Sequence, residues 1–331
     1  MKNSYPNLHK SKNKKNKFNS KSVIIFILIT AIALTIALGI SSCVRGKPSL
    51  NYLQLETDIK PIELKTTEPP EYADDVADIY SENVLLCDIS AGEIICEKNA
   101  WDNVQIASLT KIMTAVIAIE NIDDLDGNYY TFSGEILDWL KSENSAVAGF
   151  KEGEKVCARD LLYAAMLPSA GDGAMGLAAL VAGDEESFVT LMNKKAKEIG
   201  MHDSLFTNSI GFDMDGNYSN AYDVSLLFEY ALQNKTFCEI ISAEKYTTKP
   251  TDEHPDGITF SSSVFYGFSS NELNIKGLVG GKTGYTDSAG RCLATCVERN
   301  GKRYILITLG AGTDKTHYFA DHYKLYNALL Q

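Results

Sequence analysis

From Val23 to Ile40 the chain carries eighteen uncharged, mostly apolar residues with no polar face. Beyond Asp75 its apolar residues fall instead into short periodic stretches. The first pattern speaks against a core helix of a soluble domain, since no polar face exists. At 1.5 Å per residue such a run spans ~27 Å, close to the thickness of a bilayer core. The second pattern predicts a folded domain. Two β-rich stretches over 84–98, turning at Ser90-Ala91-Gly92, read as a hairpin. Ile112 to Ile119 is apolar and small on all sides, so a helix over 107–120 is expected inside the core. Helices follow through 159–200, then a loop at 202–220 and a helix at 222–233. Strands are expected near 275–285, 291–298 and 303–310, and a last helix at 317–330. Strands at both ends with helices between predict an α+β fold, an antiparallel sheet flanked by helices plus a helical cluster.

Charge divides the chain before any chemistry does. Residues 1–22 hold seven lysines and no acidic residue, leaving 24 basic against 43 acidic residues in the remainder. An acidic body with a net −19 argues against a nucleic-acid partner. The basic start is a topology signal. With the apolar run it predicts a cytoplasmic n-region (1–22), a signal or anchor segment (23–43) and a linker (44–75) rich in Pro, Thr and Glu. The remaining residues, 76–331, would be held outside the cytoplasmic membrane, on its surface or secreted. Ile40-Ser41-Ser42-Cys43 is like a bacterial lipobox, which would put a lipid on Cys43; a cysteine falling there by chance after an anchor is the other reading. The seven cysteines lack paired metal-binding spacing and histidine is scarce, so no metal and no cofactor are expected. They read as small buried residues rather than a disulfide framework, although Cys87 and Cys96 on the two hairpin arms could face each other.

Three short motifs carry chemistry: Ser108-Leu109-Thr110-Lys111, Ser169-Ala170-Gly171 and Lys282-Thr283-Gly284. Alone, a Ser-x-x-Lys is as readily an N-cap serine before a helix. Its place at the start of a core helix changes that. Positions three apart share a helix face, and a buried lysine is costly unless it has work to do. A desolvated lysine near a second cation loses basicity and can take a proton from serine. Lys282-Thr283-Gly284 could be a charged turn. Yet Gly280, Gly281 and Gly284 would let another backbone, such as an extended substrate, lie along this strand edge, with Lys282 as a point charge for a carboxylate. The triplet resembles the signature set of penicillin-binding proteins and class A β-lactamases.

From about Val84 to Leu330 the chain resembles the D-alanyl-D-alanine carboxypeptidases, low-molecular-weight penicillin-binding proteins of the serine peptidases. The resemblance extends past the triplet, to Leu86–Glu93, Ala107–Thr114, Met166–Ser169, Phe188–Asn193, Phe206–Asn208 with Gly211-Phe212, Tyr218-Ser219 with Ala221–Asp223, and Gly281–Thr286. It implies a β-lactamase/transpeptidase-like fold and makes 76–331 a penicillin-binding DD-carboxypeptidase domain. It implies hydrolysis of the terminal D-Ala from peptidoglycan stem peptides ending in D-Ala-D-Ala, and acylation by β-lactam antibiotics. Ser108 would be the nucleophile and Lys111 its base. Ser169 would relay a proton to the leaving D-Ala. Lys282 and Thr283 would hold the terminal carboxylate on the Gly284 strand, and the amides of Ser108 and Tyr285 would form the oxyanion hole.

The chain departs from that pattern in places. The second motif usually ends in asparagine, where Gly171 stands here, and Asn208 is followed by Ser209 where the family often has proline. A β-rich second domain and a C-terminal amphipathic helix, typical of the family, are not expected after the last predicted helix. Two alternatives remain. A serine β-lactamase would need a Glu-x-x-Leu-Asn between Ser169 and Lys282, which is not found. A cell-wall-binding protein with little turnover is motivated by Gly171. On the carboxypeptidase reading, Gly171→Asn is expected to raise kcat/KM.

Overall fold

The computed structural model describes residues 64–66 and 78–330. The basic segment, the apolar run, Cys43 and most of the linker lie outside the described residues. Among the described residues no helix is long and apolar enough to cross a membrane.

Six strands form the main sheet: β1 (Lys65–Thr66), β2 (Asn83–Asp88), β3 (Glu93–Lys98), β8 (Leu278–Thr286), β9 (Gly290–Arg299) and β10 (Lys302–Leu309). Their spatial order is β1-β3-β2-β10-β9-β8. All neighbours are antiparallel except β1 and β3. All six residues of β2 are buried, because helices cover both faces of the sheet. On one face Leu85, Cys87, Ala294, Cys296, Ile305 and Ile307 join the large core. On the other, Val84, Leu86, Leu293, Val297 and Leu306 join a second core, capped by α8 (Ser263–Ser270) and α9 (His317–Leu329). Side chains on a strand alternate between faces, so each strand feeds both cores.

The large core lies between the sheet and a helical cluster. That cluster contains α1 (Thr110–Asn121), α2 (Gly134–Ser142), α3 (Ala158–Met166), α4 (Gly171–Ala182), α5 (Glu185–Glu198), α6 (Ala221–Leu232) and α7 (Lys235–Ser242). α1 is its axis, with every residue from Thr110 to Ala118 buried, as its all-round apolar sequence requires. Two small two-stranded sheets, β4 (Tyr129–Thr131) with β5 (Lys155–Cys157) and β6 (Lys245–Thr247) with β7 (Thr259–Ser261), complete the fold.

The hairpin, the core helix, the three late strands and the last helix stand where the sequence pattern puts them. The hairpin cysteines do not face each other. A bulge between Leu86 and Cys87 pairs Cys96 with Leu86 and Cys87 with Ile94. Cys87 thus enters the large core and Cys96 the second. All six described cysteines are free, and burial raises the thiols of Cys87 and Cys96 (Cys96 to about 12), as suits inert core residues.

Candidate active site

Ser108 lies in a single 3-10 turn, Ala107–Leu109, that runs into α1. The expected α-helix begins two residues after it. In a 3-10 turn residues three apart eclipse. Lys111, second residue of α1, therefore lines up with Ser108, its Nζ 2.9 Å from Ser108 Oγ. Lys111 is 2% exposed whereas Ser108 is half-buried and reachable. The turn is strained. Ala107 has φ +47°, a left-handed conformation that costs a non-glycine residue about 1–3 kcal/mol. Two glycines hold it from outside. A Cβ on Gly211 would stand 2.1 Å from the Ala107 carbonyl oxygen, and one on Gly284 would stand 3.1 Å from the Ser108 amide nitrogen. The glycine of Lys282-Thr283-Gly284 thus admits the protein's own Ser108 turn.

Ser169 occupies the tight connection between α3 and α4, also at positive φ (+66°). Strand alternation splits its partners. Lys282 pairs with Ala294 and points into the large core; Thr283 pairs with Leu293 and points to the other face. Lys282 Nζ donates to Ser169 Oγ at 2.6 Å and to the Thr283 carbonyl at 2.6 Å. Thr283 Oγ1 is 2.7 Å from Ser263 Oγ at the start of α8. Tyr285 follows on the edge strand. Its hydroxyl donates to Asp287, and the Arg291 guanidinium stacks 3.8 Å from its ring centroid. The structure therefore brings Ser108 to Lys111 and Ser169 to Lys282, with Gly284 against the Ser108 turn.

The two lysines share one electrostatic environment. Burial lowers Lys111 to about 7, opposed by the nearby Asp172 carboxylate. Burial also takes Lys282 well below the ordinary lysine value, and the charge of Lys111 pushes the same way. Desolvation penalises the ammonium, and a second ammonium beside it penalises it again. At neutral pH the Lys111 amine is therefore able to accept a proton.

Sequence reasoning missed the groups that hold this amine. Lys111 Nζ also donates to the Ile210 carbonyl at 2.6 Å. That carbonyl is presented by Asn208, fully buried, whose Oδ1 accepts the amides of Ile210, Gly211 and Phe212 at 3.2, 2.6 and 2.9 Å. An Asn two and three residues before an apolar residue and a Gly is an Asx-turn signal, and it could have been read. Asp172 directly follows the second motif. It is fully buried, both its oxygens accept the Ala148 amide at 2.9 Å, and one accepts the Gly173 amide. Burial raises it to about 6 against those bonds. Ser263 sits in a run of three serines with nothing to distinguish the third. At Gly171 the space is already taken, since a Cβ would stand 2.4 Å from Ser145 Oγ and 3.1 Å from Leu140 Cδ2. Among the described residues no group of His, Cys, Asp and Glu is disposed to hold a metal.

A family model described as D-alanyl-D-alanine carboxypeptidase matches residues 65–313. Among curated proteins, the chain is similar to the D-alanyl-D-alanine carboxypeptidase DacF of Bacillus subtilis, 30% identical over 71% of this chain and 58% of the relative. It is also similar to DacC of Escherichia coli, 31% identical over 71% of this chain and 57% of the relative. The chain thus spans less than three fifths of the length of these relatives. Among solved structures, the Streptomyces K15 DD-transpeptidase superposes with a TM-score of 0.70 at 27% identity, covering 80% of this chain and 99% of that one. Penicillin-binding protein D2 of Listeria monocytogenes in its ampicillin-bound form does so at 0.64 and 31% identity, covering 76% and 98%. With a matching model over three quarters of its length and the same mixed fold, the chain belongs to the D-alanyl-D-alanine carboxypeptidase family.

Proposed function

We propose that this protein is a serine D-Ala-D-Ala carboxypeptidase that removes the terminal D-Ala of peptidoglycan stem peptides through an acyl-enzyme on Ser108. The observation that carries the reading is the buried Lys111 amine 2.9 Å from a reachable serine hydroxyl. Neutral Lys111 takes the Ser108 proton as Oγ attacks the penultimate D-Ala carbonyl. The ammonium that forms is met by the Ile210 carbonyl and the Asp172 charge. The oxyanion is received by the amides of Ser108 and Tyr285. Ser169, its Oγ bonded to Lys282, passes a proton to the departing D-Ala nitrogen. Lys282 serves this relay, and the paired hydroxyls of Thr283 and Ser263 receive the substrate's terminal carboxylate. Gly284 keeps the strand close enough to the nucleophile's turn for one substrate to reach both. Water then releases the peptide and restores Ser108.

The same reading places the enzyme outside the cytoplasmic membrane, attached by residues 23–40 behind their seven lysines. Cell fractionation should find the full chain with membranes; a freely secreted full-length product contradicts attachment. A β-lactam mimics the D-Ala-D-Ala end, so benzylpenicillin should leave one covalent adduct, located by peptide mass spectrometry on Ser108 and lost in Ser108→Ala. D-Ala should be released from a diacetyl-Lys-D-Ala-D-Ala peptide. An adduct on another serine sinks the site. An adduct without D-Ala release would mean a penicillin-binding protein without turnover, and fast cephalosporin hydrolysis a β-lactamase.

A further inference from the structure

Ser209 stands where the family often has proline, and its backbone N–H is in use. It donates to Glu185 Oε1 at 2.6 Å, and the Ser209 hydroxyl donates to Glu185 Oε2 at 3.0 Å. Glu185 is in the first turn of α5 and only 5% exposed. Proline has no N–H and no hydroxyl, so neither bond could exist with it. The Ser209 carbonyl in turn accepts from Thr114 Oγ1 at 2.6 Å, and Thr114 lies on α1 three residues after Lys111. The next carbonyl along the chain, that of Ile210, is the one holding Lys111 Nζ. Residue 209 is thus pinned to two helices, one peptide unit away from the partner of the base. A buried carboxylate with both oxygens hydrogen-bonded to one residue is costly to leave unpaired, so the clamp is rigid. Burial raises Glu185, the bonds from Ser209 oppose this, and the adjacent Asp184 charge adds to it.

We propose that Glu185 is a positioning residue for the general base: through Ser209 it fixes the Ile210 carbonyl against Lys111 Nζ. The inference rests on the reading of Lys111 as the base for Ser108. It makes the Glu185–Ser209 pair this chain's substitute for the stiffness that proline supplies at the same point. A carbonyl acceptor favours the ammonium form of Lys111, so loosening it moves the amine further down and misplaces it. The charged groups facing that amine, Asp172 and Lys282, are unchanged by substitution at 185 or 209.

The test measures penicillin acylation of the full chain against pH, with the number of labelled sites and the thermal midpoint recorded in parallel. Glu185→Gln and Glu185→Ala should acylate about tenfold more slowly, as loss of a bond supporting a charged group implies. The acid limb of their profiles should lie below that of the wild type, with the saturating affinity and the labelled-site count unchanged. Ser209→Ala, which keeps the N–H, should show a smaller change in the same direction, and Ser209→Thr should restore the wild-type profile. An unmoved acid limb, with all loss appearing in site count or melting, reduces Glu185 to a structural role and overturns the proposal. A wild-type chain that is never acylated on Ser108 sinks the functional reading instead, so the two failures are distinct.

Discussion

Two regions of this protein bury polar, titratable side chains completely, one on each side of the same strands. On the helical-cluster side are Lys111, Lys282 and Asp172. On the other side are His322 and Tyr326 of α9 with Thr295 and Thr308 of the sheet. There His322 Nδ1 is 2.9 Å from Thr295 Oγ1 and Nε2 is 3.0 Å from Thr308 Oγ1, while the Tyr326 hydroxyl donates to the Thr295 carbonyl at 3.1 Å. Both ring nitrogens are paired with neutral hydroxyls, and nothing reachable adjoins them. On the helical-cluster side, each buried lysine ends on a half-exposed serine, and each serine adjoins or occupies a left-handed residue, Ala107 or Ser169. Burial perturbs protons in both places. It becomes chemistry only where the perturbed group touches one that a substrate can reach.

The comparison breaks most sharply at Lys111. Lys111→Arg keeps a charge but removes any neutral base, so acylation should fall at least about a thousandfold, with the fold intact by circular dichroism. Near wild-type labelling by penicillin would show that another group takes the proton. His322→Gln should leave acylation unchanged within about twofold.

On the opposite side the effect is on stability. Burial lowers His322 to about 3 from its ordinary 6.5. The unfolded chain therefore binds a proton that the folded chain does not, and stability rises with pH between those values. It is complete above 6.5 and is lost toward pH 3 at about 1.4 kcal/mol per pH unit. Urea melts of wild type and His322→Gln should diverge in slope across that window. Parallel curves would remove His322 as the source.

Asp172→Asn sharpens the contrast within the cleft. The carboxylate raises Lys111 against the burial that lowers it, so its removal moves the acid limb of acylation from about 7 to lower pH. The ratio of acylation rates at about pH 6 to about pH 8 should rise severalfold. An unchanged ratio would mean that Asp172 serves only to hold the Ala148 amide.

The smallest change concerns Gly171. The side chain that restores asparagine must displace Ser145 Oγ, 2.4 Å from its Cβ, so Gly171→Asn alone should alter kcat/KM on the peptide less than about threefold. Adding Ser145→Ala should then raise it about tenfold over wild type. A rise of that size from Gly171→Asn alone would return the full gain expected from sequence. No gain in the double variant would mean that the site is built around glycine.

Much of this molecule is written in local pattern. The Ile112–Ile119 stretch has no polar face, so its helix had to be central, with Lys111 in its first turn and Ser108 just before it. The near-continuous apolar runs of 291–298 and 303–310 suit strands covered on both faces. Short helices with weak signals were not legible: α8 begins inside a serine run and α2 is nine residues long. Bulges were not legible either, and one of them sends Cys87 and Cys96 to opposite cores. The sequence by itself determined which residue types could act as nucleophile, base and relay, because spacing along a turn or strand is a local property. Tertiary structure alone decided what those residues feel. Ile210 and Asn208 from one loop, Asp172 from α4 and Glu185 from α5 reach Lys111 or its support, and desolvation depends on atoms brought together by folding rather than on neighbours in the chain.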